Sequence, residues 1–190
     1  MVSFADKIVL EFETPEQWES WLLTNGNDDG VRLKLRKKLS SAPGITYDLA
    51  LDVALCHGWI DGQVARLDDD YVLQAFTPRR KNSPWSQRNV GHVARLIAEG
   101  RMREGGQAEI DRAKADGRWD AAYRVKDAPV PDGLRAALDA NPAASAFFEG
   151  LSAQNRWAII FRLNALKRAE TRERNIAKYV EMLSRGEAIY

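Results

Sequence analysis

Apolar residues recur along the chain at two periods. Trp18, Trp21 and Leu22 form a helical stripe behind Thr14-Pro15-Glu16-Gln17. There Thr14 can cap, Pro15 suits the first helical position and Gln17 completes a capping box. Gly26 marks the end of that helix. Val31, Leu33 and Leu35 then alternate with Arg32, Lys34 and Arg36, which predicts a half-buried strand. Behind Thr46, Leu49, Ala50, Leu51, Val53, Ala54, Leu55 and Cys56 leave Asp48 and Asp52 as the polar positions of a helix over about 47–57. A helix apolar on nearly every side is a buried one. Gly58 stops it, and the chain leaves as Trp59-Ile60-Asp61-Gly62.

Gln63–Leu67 and Tyr71–Phe76 flank Asp68, Asp69 and Asp70, which predicts a β-hairpin. Two prolines hold open the loop from Thr77 to Trp85. Ser86 caps a helix over about 87–99, buried through Val90, Val93, Leu96 and Ile97, and a shorter helix over about 104–115 stops at Gly117. Pro129, Pro131 and Gly133 place a linker over 124–133. Beyond it, short helices run over 134–141 and from Pro142 toward Phe147 and Phe148. Ser152 caps a helix carrying Trp157, Ile160 and Phe161, and Thr171 caps the last, with Ile176, Val180 and Leu183 inward. The expectation is an α+β fold. A small antiparallel sheet with its β-hairpin is wrapped by helices over 1–123, and a helical C-terminal subdomain follows over 134–190.

Bulk properties narrow the classes. A chain of 190 residues, 45% hydrophobic and 29% charged, can build a core without disulfides or metals. The net charge of +1 gives no whole-protein field toward nucleic acid or membrane. The distribution is uneven, however. Residues 1–30 carry seven acids against Lys7 alone, and residues 77–103 carry seven bases against Glu99 alone. The single cysteine, Cys56, excludes an internal disulfide and suits a reducing compartment. The first residues lack the basic-then-apolar layout of a signal peptide, and no apolar run approaches the roughly 20 residues of a membrane span. A cytoplasmic location is the expectation.

Several motifs read as ordinary structure. Asn25-x-Asn27-x-Asp29-Gly30 imitates the start of a calcium loop, but position twelve is Arg36 instead of the bidentate Glu the ion needs, so a helix-to-strand turn is expected. Cys56, His57 and Asp61 fall short of a zinc site because Cys56 and His57 point about 100° apart on a helix. No Walker loop or dinucleotide fingerprint is present, and no cofactor is expected. Ser83 and Ser86 lack a nucleophile elbow, and Asp48 and Asp52 read as a narrow solvent strip.

The basic loop carries the chemistry. Arg79, Arg80, Lys81 and Arg88 stand with Asn82, Ser83, Ser86 and Asn89, with no acid among them. Guanidinium groups bind phosphate or carboxylate through paired hydrogen bonds, and a helix start at Ser86–Asn89 adds free N–H groups. Trp59 and Trp85 can wall a pocket or stack a ring.

These residues also carry a family likeness. The stretches are Trp18-Glu19-Ser20-Trp21-Leu22, Thr46-Tyr47-x-x-Ala50-Leu51-Asp52-x-Ala54-Leu55-Cys56, Gly58-Trp59-Ile60-Asp61-Gly62, Phe76-Thr77-Pro78-Arg79-Arg80, Ser83-x-Trp85-Ser86-x-x-Asn89 and Met102. The tail adds Ala165-Leu166-Lys167-Arg168-Ala169-Glu170-Thr171-Arg172-x-Arg174-x-Ile176. The chain resembles the YdeI/OmpD-associated, or bacteriocin-protection, family. That resemblance implies a role in bacteriocin or antimicrobial-peptide resistance, and no established reaction, cofactor or catalytic residue. It implies an aromatic at position 57, where this chain has His57, so catalysis by His57 is not implied. The family's porin association is disfavoured by the missing export signal.

Three readings follow. The first is a non-enzymatic binding protein for an anionic small molecule or an acidic protein partner, using Trp59, Arg79, Arg80, Lys81, Asn82, Ser83, Trp85, Ser86, Arg88 and Asn89. The second is an enzyme with Asp61 as acid or base beside those arginines. The third is nucleic-acid binding through the basic loop and the C-terminal basic stretch, ranked last because Glu170 and Glu173 interrupt that stretch.

Overall fold

A computed structural model describes residues 4–26, 28–123 and 129–190 of the chain. They fall into two compact units, Met1–Ala122 and Tyr123–Tyr190.

The first unit opens with a 3-10 turn, Phe4–Asp6, and runs β1 (Val9–Glu11), α1 (Pro15–Asn25), β2 (Val31–Arg36), α2 (Tyr47–Cys56), β3 (Trp59–Arg66), β4 (Tyr71–Pro78), α3 (Gln87–Ala98) and α4 (Glu104–Ala115). The four strands form one sheet in the order β1-β2-β4-β3. The β2-β4-β3 ladder is antiparallel, with Val31 opposite Phe76 and Trp59 opposite Pro78. β1 pairs with β2 in parallel, so the sheet is mixed. Three residues are too few to show a period, which is why the hydrophobic pattern does not announce β1.

β2 alternates as expected, with Val31, Leu33 and Leu35 buried and the basic residues between them half-buried. The buried side chains meet Trp18 and Leu22 of α1, Leu51 and Leu55 of α2, Phe76 of β4 and Leu96 of α3. Each such side chain contributes roughly 1.5–3 kcal/mol by leaving water. Trp18 stands at the centre, ringed by Phe12, Trp21, Trp59 and Phe76 at 5.4–6.0 Å between centroids. Its indole Nε1 donates to the Ala50 carbonyl at 3.2 Å. The end of α2 is crowded. Gly58 takes φ +78, and a Cβ there would lie 2.7 Å from the Gly105 carbonyl oxygen. Only glycine turns the chain from α2 into β3 under α4.

The hairpin is longer than its alternating core suggests, because β3 starts at once from the turn at Gly58. It bulges between Asp61 and Val64. The buried Gln74 side chain bridges that irregularity, donating through Nε2 to the Gly62 and Gln63 carbonyls at 2.8 and 3.3 Å. The calcium-like stretch is a helix-to-strand turn, with Asp28 Oδ1 accepting from Gly30 N at 2.9 Å. Asn27 lies outside the described residues.

The second unit contains α5 (Asp132–Asp139), α6 (Pro142–Gly150), α7 (Ala153–Asn164) and α8 (Ala169–Ser184). They close over Leu134, Leu138, Phe148, Ile159, Leu163 and Leu183. Ser152 caps α7 by accepting from Asn155 N. Thr171 does not cap α8, because that helix already begins at Ala169. Arg172 reaches back to the Leu163 and Leu166 carbonyls, which holds the α7–α8 turn and places Thr171 inside the helix. Of the segment read as a linker, residues 124–128 lie outside the described residues, and Asp132 and Gly133 already belong to α5.

Candidate functional site

β4 ends at Pro78, and Arg79 follows with its backbone N–H bonded to the Gly58 carbonyl at 2.9 Å. Its side chain is 6% exposed. The guanidinium lies over the Trp85 ring at 3.7 Å, and Nη1 donates to the Pro84 carbonyl at 3.3 Å. Stacking on indole is one of the few ways to bury a cation at low cost. Trp85 in turn packs on Trp119 at 4.9 Å. The basic loop is therefore a built turn. Arg80 N donates to Ser83 Oγ at 3.0 Å, and Arg118 Nη1 donates to the Ser83 carbonyl at 2.7 Å.

A concavity of about 770 Å³ opens beside this turn, and Arg79 and Arg80 line it with Pro78, Thr77, Ala75, Gly62 and Gln63. Phe4, Lys7 and Asp29 complete the lining. The size lies within the range of small-molecule sites. Arg32 holds Phe4 and Lys7 in place. It donates to the Ala5 carbonyl at 2.8 Å and to the Lys7 carbonyl at 2.8 Å, and it lies over the Phe4 ring at 5.3 Å. Lys7 Nζ donates to the Asp29 and Gly30 carbonyls at 2.7 and 3.3 Å. Gly30, at φ +113, lets the start of β2 press on the end of β4, since a Cβ there would sit 2.5 Å from Thr77 Cγ2. Three cationic side chains and one carboxylate thus line one space.

The structure divides the residues singled out from the sequence. Arg79 and Arg80 reach the concavity. Lys81 and Asn82 are exposed on the turn, and Ser83 holds it. Ser86 Oγ accepts from Asn89 N at 3.2 Å as the cap of α3, and Asn89 is buried. Arg88 points to α2, where it donates to Asp48 Oδ1 at 3.2 Å and lies 5.3 Å from the Tyr47 ring. Asp61 joins that second cluster, accepting from the Tyr47 hydroxyl at 2.9 Å. Burial, together with the Asp61 charge and hydrogen bond, pushes the Tyr47 phenol well above its ordinary value. Neither tryptophan lines the concavity. Trp59 is 1% exposed and spent on the core against Trp18 and Trp21. Trp85 is the platform under Arg79.

A third charged region escaped the sequence. Asp52 is no solvent-facing strip: it is 7% exposed, and Arg95 Nη2 donates to both its oxygens at 2.7 and 2.6 Å. His92 Nδ1 lies 2.9 Å from Asp52 Oδ1. One turn on, His57 Nε2 lies 3.4 Å from Glu19 Oε1, which also accepts from Arg103 Nε at 2.8 Å. Burial pushes the His57 pKa down, and its bond to Glu19 only partly opposes this. Burial alone would raise the Glu19 carboxyl, but the Arg103 and His57 bonds outweigh it and leave it below the usual value. Cys56, buried between these pairs, is pushed up to about 11 chiefly by desolvation, so it stays a thiol at neutral pH. The available signal was the spacing of His92 and Arg95, three apart on α3, against Asp52 on α2. Only the packing of the two helices couples them.

Among the described residues, no three His, Cys, Asp or Glu side chains gather as metal ligands, and no helix is long and apolar enough to cross a membrane. Two family comparisons match the chain. Residues 10–109 match the family described as "Domain of unknown function (DUF8412)". Residues 127–186 match the family described as "Bacteriocin-protection, YdeI or OmpD-Associated". The tail motif from Ala165 to Ile176 lies in the second match, and the motifs around Asp61, Arg79 and Trp85 lie in the first. No curated protein and no solved structure matches the chain.

Proposed function

Since the chain belongs to the family described as "Domain of unknown function (DUF8412)" through residues 10–109, and carries a bacteriocin-protection-related segment over 127–186, we propose that its first unit is a non-enzymatic binding module for an anionic small molecule. One observation carries the proposal: Lys7, Arg79 and Arg80 line a single concavity whose lining includes one carboxylate, Asp29. Guanidinium and ammonium groups on rigid supports bind phosphate or carboxylate with little reorganisation. Arg79 is set by the Trp85 ring and Lys7 by the β2 turn, so the charge is held in place before a ligand arrives. Asp61, the acid an enzymatic reading would use, stands with Tyr47 outside the lining, which supports binding over turnover. The same proposal includes a cytoplasmic location, in keeping with a lone buried thiol.

Calorimetric titration with inorganic phosphate tests the reading. Wild-type protein should bind, and Arg80→Ala should weaken binding about 10-fold, the loss of roughly one charge-assisted contact. Absence of phosphate binding by the wild-type protein, or the same affinity in Arg80→Ala and Lys7→Ala, would overturn it.

A further inference from the structure

The chain has two histidines, and they are held by opposite ring nitrogens. His57 presents Nε2 to Glu19 Oε1 at 3.4 Å, with 10% of its side chain exposed. His92 presents Nδ1 to Asp52 Oδ1 at 2.9 Å. That carboxylate is buried and fixed by Arg95, whose Nη2 donates to both its oxygens at 2.7 and 2.6 Å. A bare Nδ1 would face the carboxylate oxygen lone pair to lone pair, so Nδ1 carries the proton and donates. Arg95 Nη2 also lies 3.4 Å from Nδ1, a longer contact than the one to Asp52. The tautomer is thereby set: in the neutral ring the lone pair sits on Nε2. Nε2 has no partner among the described residues and is not a buried atom, and 20% of the His92 side chain is exposed. This cluster stands apart from the concavity, whose lining contains none of its residues.

We propose that His92 is a phosphoryl-acceptor site, modified at Nε2 by a small activated donor of the phosphoramidate class. The Nε2 lone pair forms a bond to phosphorus, the donor's P–N bond breaks, and its electron pair leaves with ammonia. The ring becomes an imidazolium that keeps its Nδ1 proton against Asp52, so the buried carboxylate meets the positive charge as it forms. Asp52 is the positioning residue, and Arg95 Nη2 holds it. α3 places Arg88 one turn before His92 and Arg95 one turn after it. The links of Arg88 to Asp48 and of Arg95 Nη1 to Glu99 are exposed surface pairs of little strength. Either can be exchanged for charge-assisted hydrogen bonds to the new dianion. His57 has its Nε2 turned to Glu19, so the modification is selective.

The test incubates the full chain with phosphoramidate at neutral pH and locates the phosphoryl group by mass spectrometry and phosphorus NMR. Wild-type protein should take it up on Nε2 of His92, about 10-fold faster than on His57. His92→Gln should remove that product, and His57→Gln should leave it. Asp52→Asn keeps the shape of the carboxylate and removes its charge. In the folded variant, transfer to His92 should slow about 10-fold and product should appear on Nδ1, a change of position that a merely structural role would not cause. If Asp52→Asn does not fold by circular dichroism, wild-type protein unfolded in urea decides: there the two histidines should react alike, at both nitrogens. The inference is overturned if folded wild-type protein does not react, if it reacts equally at both histidines, or if it reacts at His92 Nδ1. An unchanged rate and position in folded Asp52→Asn, or in urea, overturns it as well.

Discussion

Along α2, carboxylates and cations come in matched sets. Asp52 is shared by Arg95 and His92, with Arg101 at 4.0 Å, and Glu19 by Arg103 and His57. Beside the end of β4 the same residue types are arranged otherwise, with three cations and one carboxylate around a concavity. The first region joins α1, α2, α3 and the start of α4 into one body, and its charges are consumed by one another. The second gathers Lys7, Arg79, Arg80 and Asp29 around one space of ligand size. Charges shared with a buried carboxylate hold elements together, whereas the cations lining the concavity are the ones the anion-binding proposal uses.

The comparison breaks first at Asp52. Asp52→Ala leaves Arg95 and His92 without their shared acceptor and should cost about 2–3 kcal/mol, read as the shift of a urea unfolding midpoint. A loss below about 0.5 kcal/mol would show that the α2 pairs are ornamental. Glu19→Ala, at a more open site, should cost about 1 kcal/mol.

Acid should sharpen the picture. His57 has its folded pKa below the ordinary 6.5, so the unfolded chain takes up the proton first and stability falls as pH drops below 6.5. Glu19 has its folded pKa below the ordinary 4.5, so its contribution is present above 4.5 and is lost as pH falls through the folded value. Both effects have the same sign. Urea midpoints collected from pH 8 to pH 3 should decline in two steps, and Glu19→Gln should reduce the lower one, to which other carboxylates held low by arginines, such as Glu99 and Asp116, also contribute. A flat profile would overturn the burial assigned to His57 and the pairing assigned to Glu19.

At the concavity the effects on stability should be the smallest. Arg80 is exposed, so Arg80→Ala should move the unfolding midpoint by no more than about 0.5 kcal/mol while phosphate affinity drops. Raising salt from about 50 to 500 mM should weaken phosphate binding several-fold through screening, with little change in the midpoint. If Arg80→Ala unfolds the protein instead, the β4 turn belongs with the structural set and the contrast is lost.

Much of the fold was legible because local rules agreed with the tertiary result. The β2 alternation, the apolar α2, the caps at Thr14, Ser86 and Ser152 and the hairpin all hold in the structure. β1 was not legible, since three residues carry no period, and Thr171 was misplaced because α8 already begins at Ala169, with Arg172 bonded back to the Leu163 carbonyl at the end of α7. Of the candidate site, the basic run with its prolines and tryptophans was visible in the sequence, but the run cannot say which way each side chain turns.

By itself, then, the chain's pattern of apolar and polar residues determined the α+β class, the buried α2 and the β-hairpin, and it marked Arg79 and Arg80 as candidates. Those follow from periodicity, capping and charge, which act over a few residues. Packing decided the rest. It spent Trp59 on the core, placed Trp85 under Arg79, turned Arg88 toward Asp48, and coupled Asp52 to α3 across 40 residues of sequence. It also brought Lys7, from before the first strand, to the concavity that Arg79 lines. Side-chain direction and partners are set where whole elements meet, and no local rule reaches that far.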